Sequence, residues 1–138
     1  MNRRDAVNKP GSFIKSLRVA LLLGLLASTV AASPTSAPVR AEIDAVLAKL
    51  QSSGCQFDRN GSWHSSSEAK DHIQRKLDYL EGKTTIQSTE QFIELAASKS
   101  SLSGKPYHVK CGTEAAVESQ QWLSQQLGVM RASAKVKP

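Results

Sequence analysis

The chain has 138 residues, 40% of them hydrophobic and 22% charged, with two cysteines and a formal charge of +6. That length bounds it at one domain, and the composition excludes a collagen-like chain, a charge-dominated disordered chain and a dense disulfide scaffold. What is left is a small globular domain.

The N-terminus accounts for most of the charge. Arg3, Arg4, Lys9, Lys15 and Arg18 stand against the single acid Asp5, and Val19–Val30 then runs uncharged as VALLLGLLASTV. A basic n-region, a short apolar h-region and small residues after it predict a cleavable export signal over residues 1–32, with the cut after Ala32 or, as the near alternative, one residue earlier. As a helix the apolar run would rise about 18 Å, short of the roughly 30 Å hydrocarbon core, so no stable membrane span is expected after cleavage. Its removal leaves 13 Lys+Arg against 11 Asp+Glu, a net +2 over residues 33–138. Nucleic-acid binding thereby loses its compositional argument, since neutralising a phosphate backbone needs a concentrated basic face. Cys55 and Cys111 both lie in the mature part. In an oxidising compartment an even pair most simply forms one disulfide.

Residues 33–41, rich in proline and serine, read as a flexible leader. From Glu42 the spacing of Ile43, Val46, Leu47 and Leu50 is helical, with Gly54 as its stop. Cys55–His64 reads as a β-hairpin. An Asn60-Gly61 turn would pair Phe57 with His64; a three-residue Arg59-Asn60-Gly61 loop would pair Phe57 with Trp63 on one face. The second is expected, because it turns both aromatics toward the core. Ser65-x-x-Glu68 has capping-box spacing and opens a helix striped by Ala69, Ile73, Leu77 and Leu80, ended by Gly82. Ser88 opens a third helix with Phe92, Ile93 and Ala96 inward. A serine-rich segment, Ser98–Gly104, then leads through Pro106 to a strand at Tyr107–Cys111. Thr113 or Ser119 caps a last helix bearing Trp122, Leu123, Leu127 and Met130, and residues 132–138 form a frayed tail. The expected fold is a small α+β domain over residues 42–131: about four short helices, a β-hairpin, one further strand and one disulfide.

Several constellations carry chemical potential. His64, Glu68 and His72, spaced i, i+4, i+8, would share one helical face and could bind zinc or copper. The cap at Ser65, however, puts His64 outside the helix and claims Glu68. Ser67-x-x-Lys70 matches a serine–lysine catalytic spacing, but its companion motifs are missing. Ser103-Gly104-Lys105 lacks the glycine and hydroxyl of a phosphate loop. His108 has no identifiable partner, and no cofactor is implied.

Arg59-Asn60-Gly61, Ala69-x-x-His72-Ile73-x-x-Lys76, Glu90-Gln91-Phe92-Ile93 and Ala97-Ser98-x-Ser100-Ser101-x-x-Gly104-Lys105-Pro106-Tyr107-x-Val109 together resemble the YfeK-like family, small exported proteins of Gram-negative bacteria whose domain has no known function. The resemblance implies a periplasmic location and no cofactor. Among the matched residues, Arg59, Asn60, His72, Lys76, Ser100, Ser101, Lys105 and Tyr107 include several that a core does not require. They are expected to converge into a recognition surface; the plainer alternative makes them turn formers and backbone partners. The leading expectation is a non-enzymatic module that binds a periplasmic or envelope protein. The alternatives are a small hydrolase or metal-dependent enzyme using His64, Glu68 and His72 or a loop serine, and a structural envelope protein with no small ligand.

Overall fold

The computed structural model describes residues 33–136. The expected export signal over residues 1–32, and the end of the tail, lie outside the described residues. Helix α1 (Ala37–Ser52) is followed by the strands β1 (Gln56–Arg59) and β2 (Ser62–Ser65), helix α2 (Ser66–Glu81) and the short helix α3 (Thr89–Phe92). A π-helical turn, Ile93–Ala97, continues α3; strands β3 (His108–Lys110) and β4 (Val117–Glu118) and helix α4 (Ser119–Val136) complete the chain. The strands form one antiparallel sheet in the order β2-β1-β3-β4. This is the expected α+β domain with one strand more, because the two-residue β4 is too short to leave a pattern. Among the described residues, no helix is long and apolar enough to cross a membrane.

The helical stripes pack as their spacing requires. Ile43, Val46, Leu47 and Leu50 of α1, Ile73 and Leu77 of α2, Phe92 and Ile93, and Leu123 and Leu127 of α4 are buried in one cluster with Phe57 and Val109 of the sheet. Gly54 takes φ +66, the left-handed conformation that closes α1. Immediately after it, Cys55 is bonded to Cys111, tying the end of α1 to the end of β3. The capping box of α2 is complete, with Glu68 N donating to Ser65 Oγ and Ser65 N to the Glu68 carboxylate.

Four local expectations need correction. The hairpin turns on two residues, not three. Arg59 faces Ser62 and Phe57 faces His64, with Asn60 at φ +56 and Gly61 at φ +86. Two positive φ values make the tight turn whose twist matches the strands. Trp63 therefore lies opposite Asp58 and is 45% exposed, while Phe57 meets Trp122 edge-on, 5.8 Å between ring centres.

The leader is ordered from within. Pro38 sits in the first turn of α1, where its missing N–H leaves no helical bond unmade. Thr35 Oγ1 and Arg40 both donate to the Glu81 carboxylate at 2.6 Å, and Thr85 Oγ1 donates to Ser33 O at 2.8 Å. The tail is helical through Val136 rather than frayed from residue 132, since Ala132–Lys135 offer nothing that stops a helix. Ser119 starts α4 without capping it: its hydroxyl is buried with no protein partner, and its backbone N–H donates to Tyr107 O.

Charge locks the far end of the helical layer. Arg131 of α4 grips both carboxylate oxygens of Glu42 at 2.7 and 2.8 Å and reaches Glu90 of α3 at 2.5 Å. Thr89 Oγ1 also donates to Glu42. One guanidinium thus joins three helices.

Candidate functional site

Three elements meet on one side of the molecule. The Asn60 side chain at the hairpin tip reaches the serine-rich loop: its Nδ2 donates to Ser100 Oγ at 3.5 Å, and Ser103 Oγ donates to its Oδ1 at 2.6 Å. That loop closes on itself. Tyr107 N–H donates to Ser98 O and Ser100 N–H to Lys105 O, while Ser100 Oγ accepts from the N–H groups of Leu102 and Ser103. From α2, His72 Nε2 lies 3.1 Å from Tyr107 OH. One turn on, Lys76 Nζ donates to Lys99 O at 2.8 Å and lies 5.2 Å above the Tyr107 ring.

Seven of the eight expected residues lie around this junction, in unequal roles. Asn60, Ser100 and Tyr107 are spent on internal bonds and hold the three elements together. Arg59, His72, Lys76 and Ser101 border the openings between them. Lys105 is exposed on the loop and lines neither opening.

Two openings adjoin at His72. The deeper is a narrow cavity walled by Phe57, Ala69, Ile73 and Tyr107, with about 20 Å³ of free space, close to the room of one water. His64 and Ser119 also line it, and His64 Nε2 and Ser119 Oγ are both buried without a protein partner. The second is an open groove of about 220 Å³ between α2 and the π-helical turn, lined by His72, Arg75, Lys76, Tyr79, Leu80, Leu95 and Ser101. Arg75, Tyr79 and Leu95 escape the sequence reading. The first two share the outer edge of α2 at i and i+4, a spacing that could have marked them. Leu95 could not be found this way, because the π-helical turn alters the register that would place it.

Asp58 and Glu68 line the cavity with Arg59, and the bonds from Ser65, with a smaller push from His64 and Arg59, hold the Glu68 carboxyl below its usual range. Among the described residues, no carboxylate stands within ion-pair distance of Arg59, Arg75 or Lys76. Burial pushes the His72 imidazole down to about 4, and Arg59, Lys76 and Arg75 push the same way. At neutral pH it is uncharged and able to share one proton with Tyr107 OH. Burial also lowers Lys76 and raises Tyr107.

On acidification, stability is expected to fall in two stages. Between about 6.5 and about 4 the unfolded chain protonates His72 and the folded one does not, so folding loses ground as pH drops. Glu42 follows. Its bond to Arg131, and next that from Thr89, hold its carboxyl at about 2 against the opposing effect of burial. That support is complete above about 4.5 and disappears as pH falls through about 2. Thermal melts across this range should show both stages, with Glu42→Gln shrinking the lower, which Glu90 on the same Arg131 shares, and His72→Gln removing the upper.

His64, Glu68 and His72 line the same cavity, yet among the described residues no group of three His, Cys, Asp or Glu side chains is placed to hold a metal ion. Glu68 is turned back onto Ser65. Of the loop serines, Ser100 and Ser103 bond backbone and Asn60, not histidine. His108 does have a partner, with its Nδ1 3.5 Å from Asp58 Oδ2 on the neighbouring strand.

A family model described as a family of unknown function, DUF5329, matches residues 37–131. The uncharacterized protein YfeK of Salmonella typhimurium (strain LT2) is 38% identical over 90 residues, which cover 64% of this chain and 73% of that protein. This agrees with the resemblance carried by the Arg59-Asn60-Gly61 and Ser100–Tyr107 motifs. No solved structure matches.

Proposed function

Because the chain belongs to the DUF5329 family of unknown function, we propose a function from its own geometry: an exported, non-enzymatic domain that binds a component of the cell envelope. Export rests on the basic and apolar N-terminal segments, and the Cys55–Cys111 bond suits an oxidising compartment. The observation that carries the binding reading is the convergence of hairpin tip, α2 edge and serine-rich loop on Arg59, Arg75 and Lys76, three cations without a carboxylate partner among the described residues. Leaving charges unpaired around a half-buried neutral histidine does nothing for stability, whereas a ligand of opposite charge would use them.

The test is capture from an envelope extract by the oxidised protein. Wild type should retain a discrete component, Arg59→Ala and Arg75→Ala should lose most of it, and Lys110→Ala on the outer face of the sheet should keep it. Retention that ignores all three substitutions, or none above background, overturns the reading.

A further inference from the structure

We propose that the groove between α2 and the π-helical turn takes an acidic peptide segment of a partner protein, with a carboxylate facing Arg75 and Lys76 and a neighbouring apolar side chain seated between Tyr79, Leu80 and Leu95. This rests on the binding reading above and names the chemistry of its ligand.

The groove has two chemically distinct parts. At one end Lys76 is held in place by its bond to Lys99 O and by the Tyr107 ring, with Arg75 exposed beside it. Lys83, just past the end of α2, lies 5.8 Å from the Tyr79 ring. Glu94 is the acidic neighbour of Leu95, and it pairs with none of these cations. At the other end Tyr79 is 67% and Leu95 40% exposed, with the half-buried Leu80 between them, and Leu102 stands 99% exposed on the adjoining loop. Tyr79, Leu80 and Leu95 line one groove and give it an apolar side that a ligand side chain would bury. The π-helical turn contributes directly. Such turns are rare and gather at functional sites, and this one buries Ile93, Ala96 and Ala97 while leaving Leu95 outward at the groove.

The occupant has to be anionic and apolar within a few ångströms, and it has to enter a concave space of about 220 Å³. That is smaller than the ~300–1,000 Å³ of a site enclosing a whole small molecule, so it suits one or two side chains of a longer ligand. A membrane surface is flat and cannot fill it. A nucleic-acid backbone would meet too few cations and an apolar floor it cannot use. An acidic residue next to Leu, Ile or Phe meets both halves.

The experiment is fluorescence anisotropy of the oxidised protein with a labelled, end-capped peptide alternating Asp/Glu with Leu. It is run beside the Asn/Gln isostere of that peptide, and sedimentation with phosphatidylglycerol vesicles is measured in parallel. The acidic peptide should bind, weaken with salt, and weaken about tenfold on conversion to the isostere or on Arg75→Glu. Tyr79→Ala should weaken both peptides alike, and unchanged melting temperatures would show that the variants are folded. Equal binding of acidic and amide peptides, an Arg75→Glu effect within twofold, or preferential capture by vesicles overturns the proposal. If the peptides fail while envelope capture still depends on Arg59 and Arg75, this inference falls alone. If capture fails too, the binding reading falls with it.

Discussion

Removing the Cys55–Cys111 bond, by reductant or by Cys55→Ala with Cys111→Ala, is expected to destabilise the domain by about 4 kcal/mol. The bond joins positions 56 residues apart, and the chain it encloses holds the hairpin, α2, α3, the serine-rich loop and β3. Without it, the unfolded ensemble regains the freedom of that whole loop. For a domain of this size the loss corresponds to a fall of roughly 15–30 °C in melting temperature. Alanine is the right replacement, because Cys55 is buried and a serine hydroxyl there would add a cost of its own. Melts by circular dichroism, with and without reductant, provide the check. Wild type should drop under reductant to the level of the double variant, and the double variant should ignore it. Equal melting of oxidised and reduced wild type would show that the bond contributes nothing.

Phe92→Ala should cost about 3–5 kcal/mol. Phe92 is fully buried at the junction of α3 with the π-helical turn, in the cluster shared by α1, α2 and α4. Truncation there leaves a cavity that three helices would have to close. Trp63→Ala is the informative counterpart. Both aromatics look like core residues in the sequence, yet Trp63 stands 45% exposed on the outer face of the hairpin and should cost no more than about 1 kcal/mol. Denaturant titrations of the two variants, with the disulfide intact, separate these values easily. Similar losses from both would mean that Trp63 is packed inward and that the two-residue turn is wrong. Small domains hold only about 5–15 kcal/mol in reserve, so Phe92→Ala in the reduced protein should lose about 7–9 kcal/mol, a large part of it.

The site's legibility was uneven for a physical reason. Arg59, Asn60, His72, Lys76, Ser100 and Tyr107 could be picked out because they are polar or amphipathic at positions where a helix stripe or strand does not need them. Their roles could not be separated, since that depends on contacts across 40 residues for Asn60–Ser100, 35 for His72–Tyr107 and 23 for Lys76–Lys99. Arg75, Tyr79 and Leu95 look like an ordinary solvated face until the groove beside them is seen.

Local chemistry alone was enough to determine the α+β class, the stripes of α1 and α2, the capping box at Ser65 and Glu68, the glycine stop at Gly54 and the pairing of two cysteines. Each depends on interactions within one or two turns of chain, or on there being a single partner available. Tertiary structure decided the hairpin register, the order β2-β1-β3-β4 and the start of α1 at Ala37. It also decided which polar residues were consumed and which left free. Asn60-Gly61 is compatible with either loop length, and a shift of one residue turns every side chain of the strand over. In the fold Trp122, not Trp63, packs edge-on against Phe57, and Glu81 of another helix accepts from Thr35 and Arg40 at the start of α1. No window of sequence contains both members of those pairs.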